Sequence, residues 1–142
     1  MRLATIKLNG KETAGIVTKT GVLPIACLNA CKGTAWKEDL FDLIAAQELK
    51  HLTAWYNDGG KEELESVPGV IPEEAVVYGP LYRNPKRIFG IGLNYVDHAG
   101  DIGMAAPQGF PGSFFKMADT LVGPGGPIFG RPPRRARPWR FR

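Results

Sequence analysis

Cysteine is scarce in this chain of 142 residues, which has only Cys27 and Cys31. They are four residues apart, and no further cysteine or histidine follows at the spacing that a zinc site needs. This favours two ordinary reduced thiols over a redox or metal pair. Long apolar runs are also missing: none approaches the ~18 residues of a membrane span, and residues 1–7 lack the apolar core of a signal peptide. We therefore expect a cytoplasmic protein without a membrane segment.

Acidic residues are absent after Asp119, and the last twelve residues, 131–142, hold six arginines. Without these arginines 12 basic residues face 14 acidic ones, so residues 1–130 carry a net charge of −2 although the whole chain stands at +4. The basic character therefore belongs to the tail. The remainder, in a chain with 44% hydrophobic residues, is large enough for one core or for one small domain plus part of a second. This excludes a multi-domain enzyme of ordinary size.

The first part of the chain predicts a small α+β domain over residues 1–84. Residues 1–26 alternate in hydrophobicity around Asn9-Gly10, which predicts an antiparallel β-meander, because a type I′ hairpin turn needs positive φ at both central residues. The apolar spacing from Lys37 to Tyr56 predicts one helix. The run Ala75–Tyr78 predicts a further strand.

A second segment, residues 85–128, begins with an apolar run at Ile88–Gly92 that is typical of a buried strand. Asn94 then offers a helix N-cap, and the helical turn it predicts places His98 and Asp101 on one face. A histidine and a carboxylate at this spacing can share a proton and act as a base toward water. From these residues alone, a capping cluster is favoured over a catalytic dyad. Lys116 either pairs with Asp101, binds an acidic substrate, or is a solvated lysine at a strand end.

Two ordered motifs in this segment resemble a known family. They are residues 91–98 (Ile-Gly-Leu-Asn-Tyr-Val-Asp-His) with 101–103 (Asp-Ile-Gly), and, about fifteen residues on, Phe114-Phe115-Lys116 with 121–125 (Leu-Val-Gly-Pro-Gly). They look like the opening of the catalytic domain of the fumarylacetoacetate hydrolase family. The resemblance implies the start of a β-rich β-roll over residues 85–128. Residues 1–84 resemble, more loosely, the small N-terminal domain of many bacterial members.

The resemblance also implies an activity. Such enzymes use Mg²⁺ (or Mn²⁺) to cleave, decarboxylate or isomerise β-keto or β-diketo acids, and are commonly homodimers. By this resemblance His98, held by Asp101, activates water or shuttles a proton, and Lys116 lies near the dyad and the substrate. Asn94 and Tyr95 are the substrate-binding residues that it implies.

Three departures from the family pattern bear on activity. The dyad acid is typically Glu, and Asp101 is one methylene shorter. The glycine-proline turn usually ends Gly-Asp-Pro, whereas Gly126 stands here in place of the carboxylate. The family's metal ligands, a Glu-x-Glu pair and a later Asp, follow that turn, but nothing acidic follows Asp119. We expect no competent metal site in this chain alone, and hence an incomplete and inactive enzyme.

The tail, residues 129–142, is expected to be unstructured and has three interpretations. The abrupt change from lysine to arginine where the family pattern stops favours a frameshift in GC-rich DNA. The rival is a genuine tail that binds nucleic acid or another polyanion, with Trp139 and Phe141 stacking on bases. The third interpretation concerns the whole chain: it is a non-catalytic fragment that pairs with a full-length relative through exposed strand edges.

Overall fold

The chain is described by a computed structural model that covers residues 1–81, 83–93, 95–101, 103–105 and 107–128. These residues form an α+β structure with two antiparallel sheets, as the sequence predicts. The larger sheet begins with the hairpin of strands β1 (Leu3–Leu8) and β2 (Lys11–Val17). Between them, φ is 50° at Asn9 and 76° at Gly10, so both turn residues adopt the left-handed conformation that the type I′ prediction requires.

Two more strands complete this sheet in the order β1-β2-β3-β4. Strand β3 (Gly21–Pro24) pairs antiparallel with β2, which confirms the predicted meander. Strand β4 (Ile71–Pro72), which was not predicted, pairs with β3. The strand predicted for Ala75–Tyr78 is mostly wrong: a 3₁₀ turn occupies Glu73–Ala75, and only Tyr78 forms a bridge, to Ile6.

Helix α1 (Ile25–Lys32) was not predicted. It starts directly after Pro24 and ends at Gly33, whose φ of 67° provides a left-handed C-cap. It carries both cysteines, with Cys27 half-buried and Cys31 exposed. The sequence does contain a signal for the end of a helix, Lys32 followed by Gly33. The alternating hydrophobicity of the preceding strands obscured it.

The single helix predicted for Lys37–Tyr56 is wrong in its extent. The structure forms α2 (Leu40–Ala45) and α3 (Glu48–Trp55), separated by Gln47 at φ 59°. Helix α2 starts where the Asp39 carboxylate accepts a hydrogen bond from the Asp42 amide at 3.0 Å. The left-handed Gln47 interrupts the hydrogen-bond ladder, so the two helices do not continue as one rod. An irregular turn at Tyr56–Gly60 and the single turn α4 (Lys61–Glu63) follow.

The hydrophobic core lies between the larger sheet and helices α1, α2 and α3. Its buried members are apolar side chains from both layers: Ala14, Ile16, Leu23, Ile25, Leu28, Leu40, Leu43, Leu52, Leu64 and Val67. All of them come from the predicted N-terminal domain. Burial of this set is the main stabilising term for the fold.

The second sheet is a two-stranded hairpin. Strand β5 (Ile88–Gly92) pairs antiparallel with β6 (Gly112–Lys116), with Ile88 opposite Lys116 and Gly92 opposite Gly112. The short helix α5 (Val96–Asp101) lies in the connection between them. Among the described helices, none has the length and apolar content needed to cross a membrane.

Candidate functional site

The predicted dyad lies on a strand–turn–helix unit. Strand β5 ends at Gly92, Leu93 follows with φ 57°, and α5 then contains both His98 and Asp101. Because residues three apart lie on the same side of a helix, the backbone places positions 98 and 101 on one face, as the spacing predicts. Asn94 lies outside the described residues, and so does the side chain of His98.

The described side chains of this unit face outward. Asp101 is exposed, and Tyr95 has 69% of its surface accessible. The Tyr95 carbonyl accepts the amide of Ala99 at 3.1 Å, and Ala99 is fully buried. The helix therefore rests on its Ala99 face and ends at Asp101, and Gly103, two residues further on, has a left-handed φ of 70°.

Lys116 is held away from the dyad unit. Its register places it opposite Ile88, at the start of β5, whereas α5 follows the far end of that strand. At about 3.3 Å per residue, the ladder separates the two ends by roughly 13 Å. The Lys116 ammonium lies 5.8 Å from the centroid of the Phe114 ring, and within the part of the chain that the structure describes it makes no ion pair with Asp101.

The hairpin carries an aromatic side chain on each face. On one face the Phe114 ring lies across Gly90, where an added Cβ would come within 2.6 Å of the ring. On the other face Phe89 and Phe115 pack edge to face with centroids 5.4 Å apart. Phe89 is 57% exposed and Phe115 69% exposed, so more than half of the surface of each is accessible to solvent. A two-stranded hairpin is at best marginally stable alone.

An arginine clamp joins the two segments, and the sequence reasoning missed it. The Arg83 guanidinium donates from Nε and Nη2 to the carboxylate of Glu12 on β2, with the shortest bond at 2.7 Å. Its Nη1 donates to the Leu121 carbonyl at 2.9 Å. Nearby, a Cβ on Gly123 would lie 2.5 Å from the Tyr78 carbonyl oxygen, so this stretch packs closely on the N-terminal sheet. Because Glu12 and Arg83 are 71 residues apart in the chain, no local sequence pattern indicates that they pair.

Hydrogen bonds from Arg83 hold the pKa of the Glu12 carboxyl below its ordinary value of 4.5, aided by the charges of Arg83 and Lys7 and opposed by burial. A lowered pKa in the folded state stabilises the fold at every pH above the ordinary value. This stabilisation is lost as the pH falls through the folded-state pKa.

We therefore expect Glu12→Gln to lower the free energy of unfolding at pH 7 by about 1 kcal/mol or less, because both partners are partly exposed. Urea unfolding at pH 7 and at pH 2 to 3 measures the effect. The difference between the wild type and the variant should vanish at the lower pH. A difference that persists there would show that Glu12 acts through packing rather than charge.

The described residues do not fit the Mg²⁺ site that the family resemblance implies. Across residues 1–81 and the described parts of 83–128, no three His, Cys, Asp or Glu residues are grouped so that they could hold a metal ion. Mg²⁺ needs near-octahedral oxygen coordination, which one or two carboxylates together with several waters usually supply. No catalytic step through a metal is therefore assigned to these residues.

Neither protein-family models nor curated proteins nor solved structures give a match to this chain. The family resemblance therefore depends only on the two motifs quoted above.

Proposed function

We propose that the chain carries the opening of a fumarylacetoacetate-hydrolase-like catalytic domain, whose activity is cleavage, decarboxylation or isomerisation of β-keto or β-diketo acids. The observation that carries this proposal is the β5–α5 unit, in which a strand leads through a left-handed turn into a helix with His98 and Asp101 three residues apart. A non-glycine residue at positive φ, Leu93, accompanies it, and such strained positions concentrate at functional sites.

In this proposal the two dyad residues divide the proton chemistry. His98 takes a proton from water or from the carbon acid, and the Asp101 carboxylate orients the imidazole and stabilises its protonated form. The exposed positions of Asp101 and Tyr95 leave this face of α5 open to a substrate. No step of the proposed chemistry runs through Mg²⁺, because the described residues do not fit that ion. The complete enzyme would then be a homodimer with a keto-acid substrate.

The test uses the protein expressed from whichever reading frame continues the family pattern past codon 128, assayed with Mg²⁺ on oxaloacetate and on an acylpyruvate. We expect turnover by that protein, none by the 142-residue chain, and a decrease in kcat of about 10²- to 10⁴-fold for His98→Ala. Asp101→Glu, which restores the family's usual acid, should retain activity, whereas Asp101→Ala should lose most of it.

The matched control is His51→Ala, at the only other histidine of the chain, which is exposed on α3. It should leave kcat unchanged. Turnover that survives His98→Ala would remove the dyad from the mechanism. A complete protein that is inert on both substrate types would remove the keto-acid activity as a whole.

The second candidate function is polyanion binding by the tail, favoured by its six arginines without an acid. If the tail binds, retention of the chain on phosphocellulose or RNA should decrease steeply with salt, because each phosphate contact releases counterions. Deletion after Ile128 should abolish retention. Equal retention of the shortened protein would exclude the tail as the binding element.

A further inference from the structure

The N-terminal domain has a cleft that contains neither residue of the dyad. It is about 180 Å³ in volume and lies where the start of the chain, the β2–β3 turn and the segment after α3 meet. The backbone amide of Val17 donates to the Arg2 carbonyl at 3.0 Å and holds the first of these segments against the end of β2. Tyr56 and Leu64 contribute to its wall.

Three cations line this cleft: Arg2, Lys19 and Lys61. All three are exposed, and within the described ranges none forms an ion pair. This contrasts with Lys32, which pairs with Glu63, and with Arg83, which pairs with Glu12. Residues 1–130 have a net negative charge. The cleft therefore concentrates positive charge on a part of the chain that is mildly acidic as a whole.

A single carboxylate, that of Glu65, lines the same cleft, and it already has partners. It accepts the backbone amide of Lys19 at 2.8 Å and the hydroxyl of Thr20 at 3.4 Å. These bonds hold the carboxylate on the β2–β3 turn. The neighbouring acids Asp58 and Glu62 do not line the cleft. Counting formal side-chain charges, three cations against one carboxylate leave an excess of two positive charges, to which the α-amino group of Met1, another residue that lines the cleft, adds.

The size of the cleft restricts its occupant. Pockets for drug-sized ligands span about 300–1,000 Å³, and a water molecule takes about 30 Å³ of liquid volume. The cleft, at about 180 Å³, lies below that range, so its size favours a small ion with bound waters over a drug-sized ligand. This excess of positive charge favours a small anion that carries more than one negative charge.

We propose that this cleft is a binding site for a small dianion, with Arg2, Lys19 and Lys61 as its cationic contacts. The shared chemistry is two negative charges on a compact group, which either a phosphate or a short dicarboxylate provides. The inference is independent of the keto-acid proposal, because the cleft lies entirely within residues 1–65.

The test is an amide NMR titration of the 142-residue protein with inorganic phosphate and, separately, with malonate, at constant ionic strength with chloride as the reference. Saturable shifts at Val17, Thr18, Lys19, Tyr56 and Lys61 are expected with at least one dianion. Phosphate alone would indicate a phosphate site, malonate alone a dicarboxylate site, and both a general dianion site. Non-saturating shifts, or the same shifts with chloride, would overturn the proposal.

Charge variants separate a binding site from a merely cationic surface. Lys61→Gln and Lys19→Gln should each weaken binding by about two- to fivefold, the range for exposed ion pairs. The Lys19 substitution keeps the backbone bond to Glu65. Lys50→Gln, the same charge change on α3 away from the cleft, should leave the affinity unchanged.

A variant of opposite sign completes the test. Glu65→Gln removes the only carboxylate and retains an acceptor for the Lys19 amide, so it should tighten binding by a similar factor. Equal weakening by Lys50→Gln and Lys61→Gln, or no tightening by Glu65→Gln, would contradict the assignment of the site to this cleft.

Discussion

Gly21→Ala is expected to lower the free energy of unfolding by at least about 2 kcal/mol, because backbone atoms occupy the space that its side chain would need. A Cβ at this position would overlap the carbonyl oxygen of Ile71 and lie 2.8 Å from its carbonyl carbon and 3.0 Å from the Cα of Pro72. Gly21 is opposite Pro72 in the β3–β4 register. To remove this overlap, β4 must move away from β3.

Urea unfolding of Gly21→Ala is compared with that of Gly100→Ala. Gly100 lies in α5 with no atoms within 4 Å of the position of a Cβ. Alanine there should be neutral or stabilising by up to about 1 kcal/mol, because alanine favours the helix. A Gly21→Ala protein as stable as the wild type would mean that β4 does not pair with β3 as described.

Leu43→Ala is expected to cost about 2–5 kcal/mol, the range for a leucine deleted from a packed core. Leu43 is fully buried in the cluster between the sheet and the helices. Its neighbour on α2, Ile44, is 44% exposed and provides a matched control that removes a similar number of carbon atoms. Ile44→Ala should cost about 1 kcal/mol or less, since part of its surface is already in water.

The comparison of the two variants tests the orientation of α2 directly. Chemical denaturation followed by far-ultraviolet circular dichroism measures both free energies under the same conditions. Equal losses for Leu43→Ala and Ile44→Ala would contradict the helix orientation, because one of the two side chains would then be misplaced. A larger loss for Ile44→Ala would contradict it more strongly.

The parts of the fold that the sequence predicts well are those with local signals. Asn9-Gly10 specifies its turn through backbone conformation alone, and both residues have the required positive φ. The strand Ile88–Gly92 has its predicted limits, but the expectation that it is buried is wrong, because Phe89 and Ile91 are 57% and 50% exposed. In each case a few adjacent residues carry the whole signal.

The helical region shows why other predictions failed. Apolar spacing from Lys37 to Tyr56 fits one helix, but the interruption occurs at Gln47, a residue with good helix propensity in a left-handed conformation. Residues 40–55 contain no glycine or asparagine, so the local sequence has no signal for a left-handed residue that would end the first helix. Strand β4 was missed for a similar reason: two residues containing a proline form a strand only because β3 lies beside them.

In the candidate site, too, the sequence predicts the local relations but not the long-range ones. The i, i+3 relation of His98 and Asp101 is local, and α5 contains both positions. The position of Lys116 depends on strand register, and that register places it at the other end of the hairpin from α5. The Glu12–Arg83 pair and the three cations of the dianion cleft come from distant parts of the chain, so no spacing rule could have indicated them.

The family assignment is the central claim, and the most direct test is to sequence the gene through and past codon 128 and translate all three forward frames. The account predicts that one frame encodes a Glu-x-Glu pair and a downstream Asp after the glycine-proline turn, which are the oxygen ligands that Mg²⁺ requires. If no frame encodes these acids, the keto-acid enzyme assignment is contradicted, and polyanion binding or pairing with another chain takes its place.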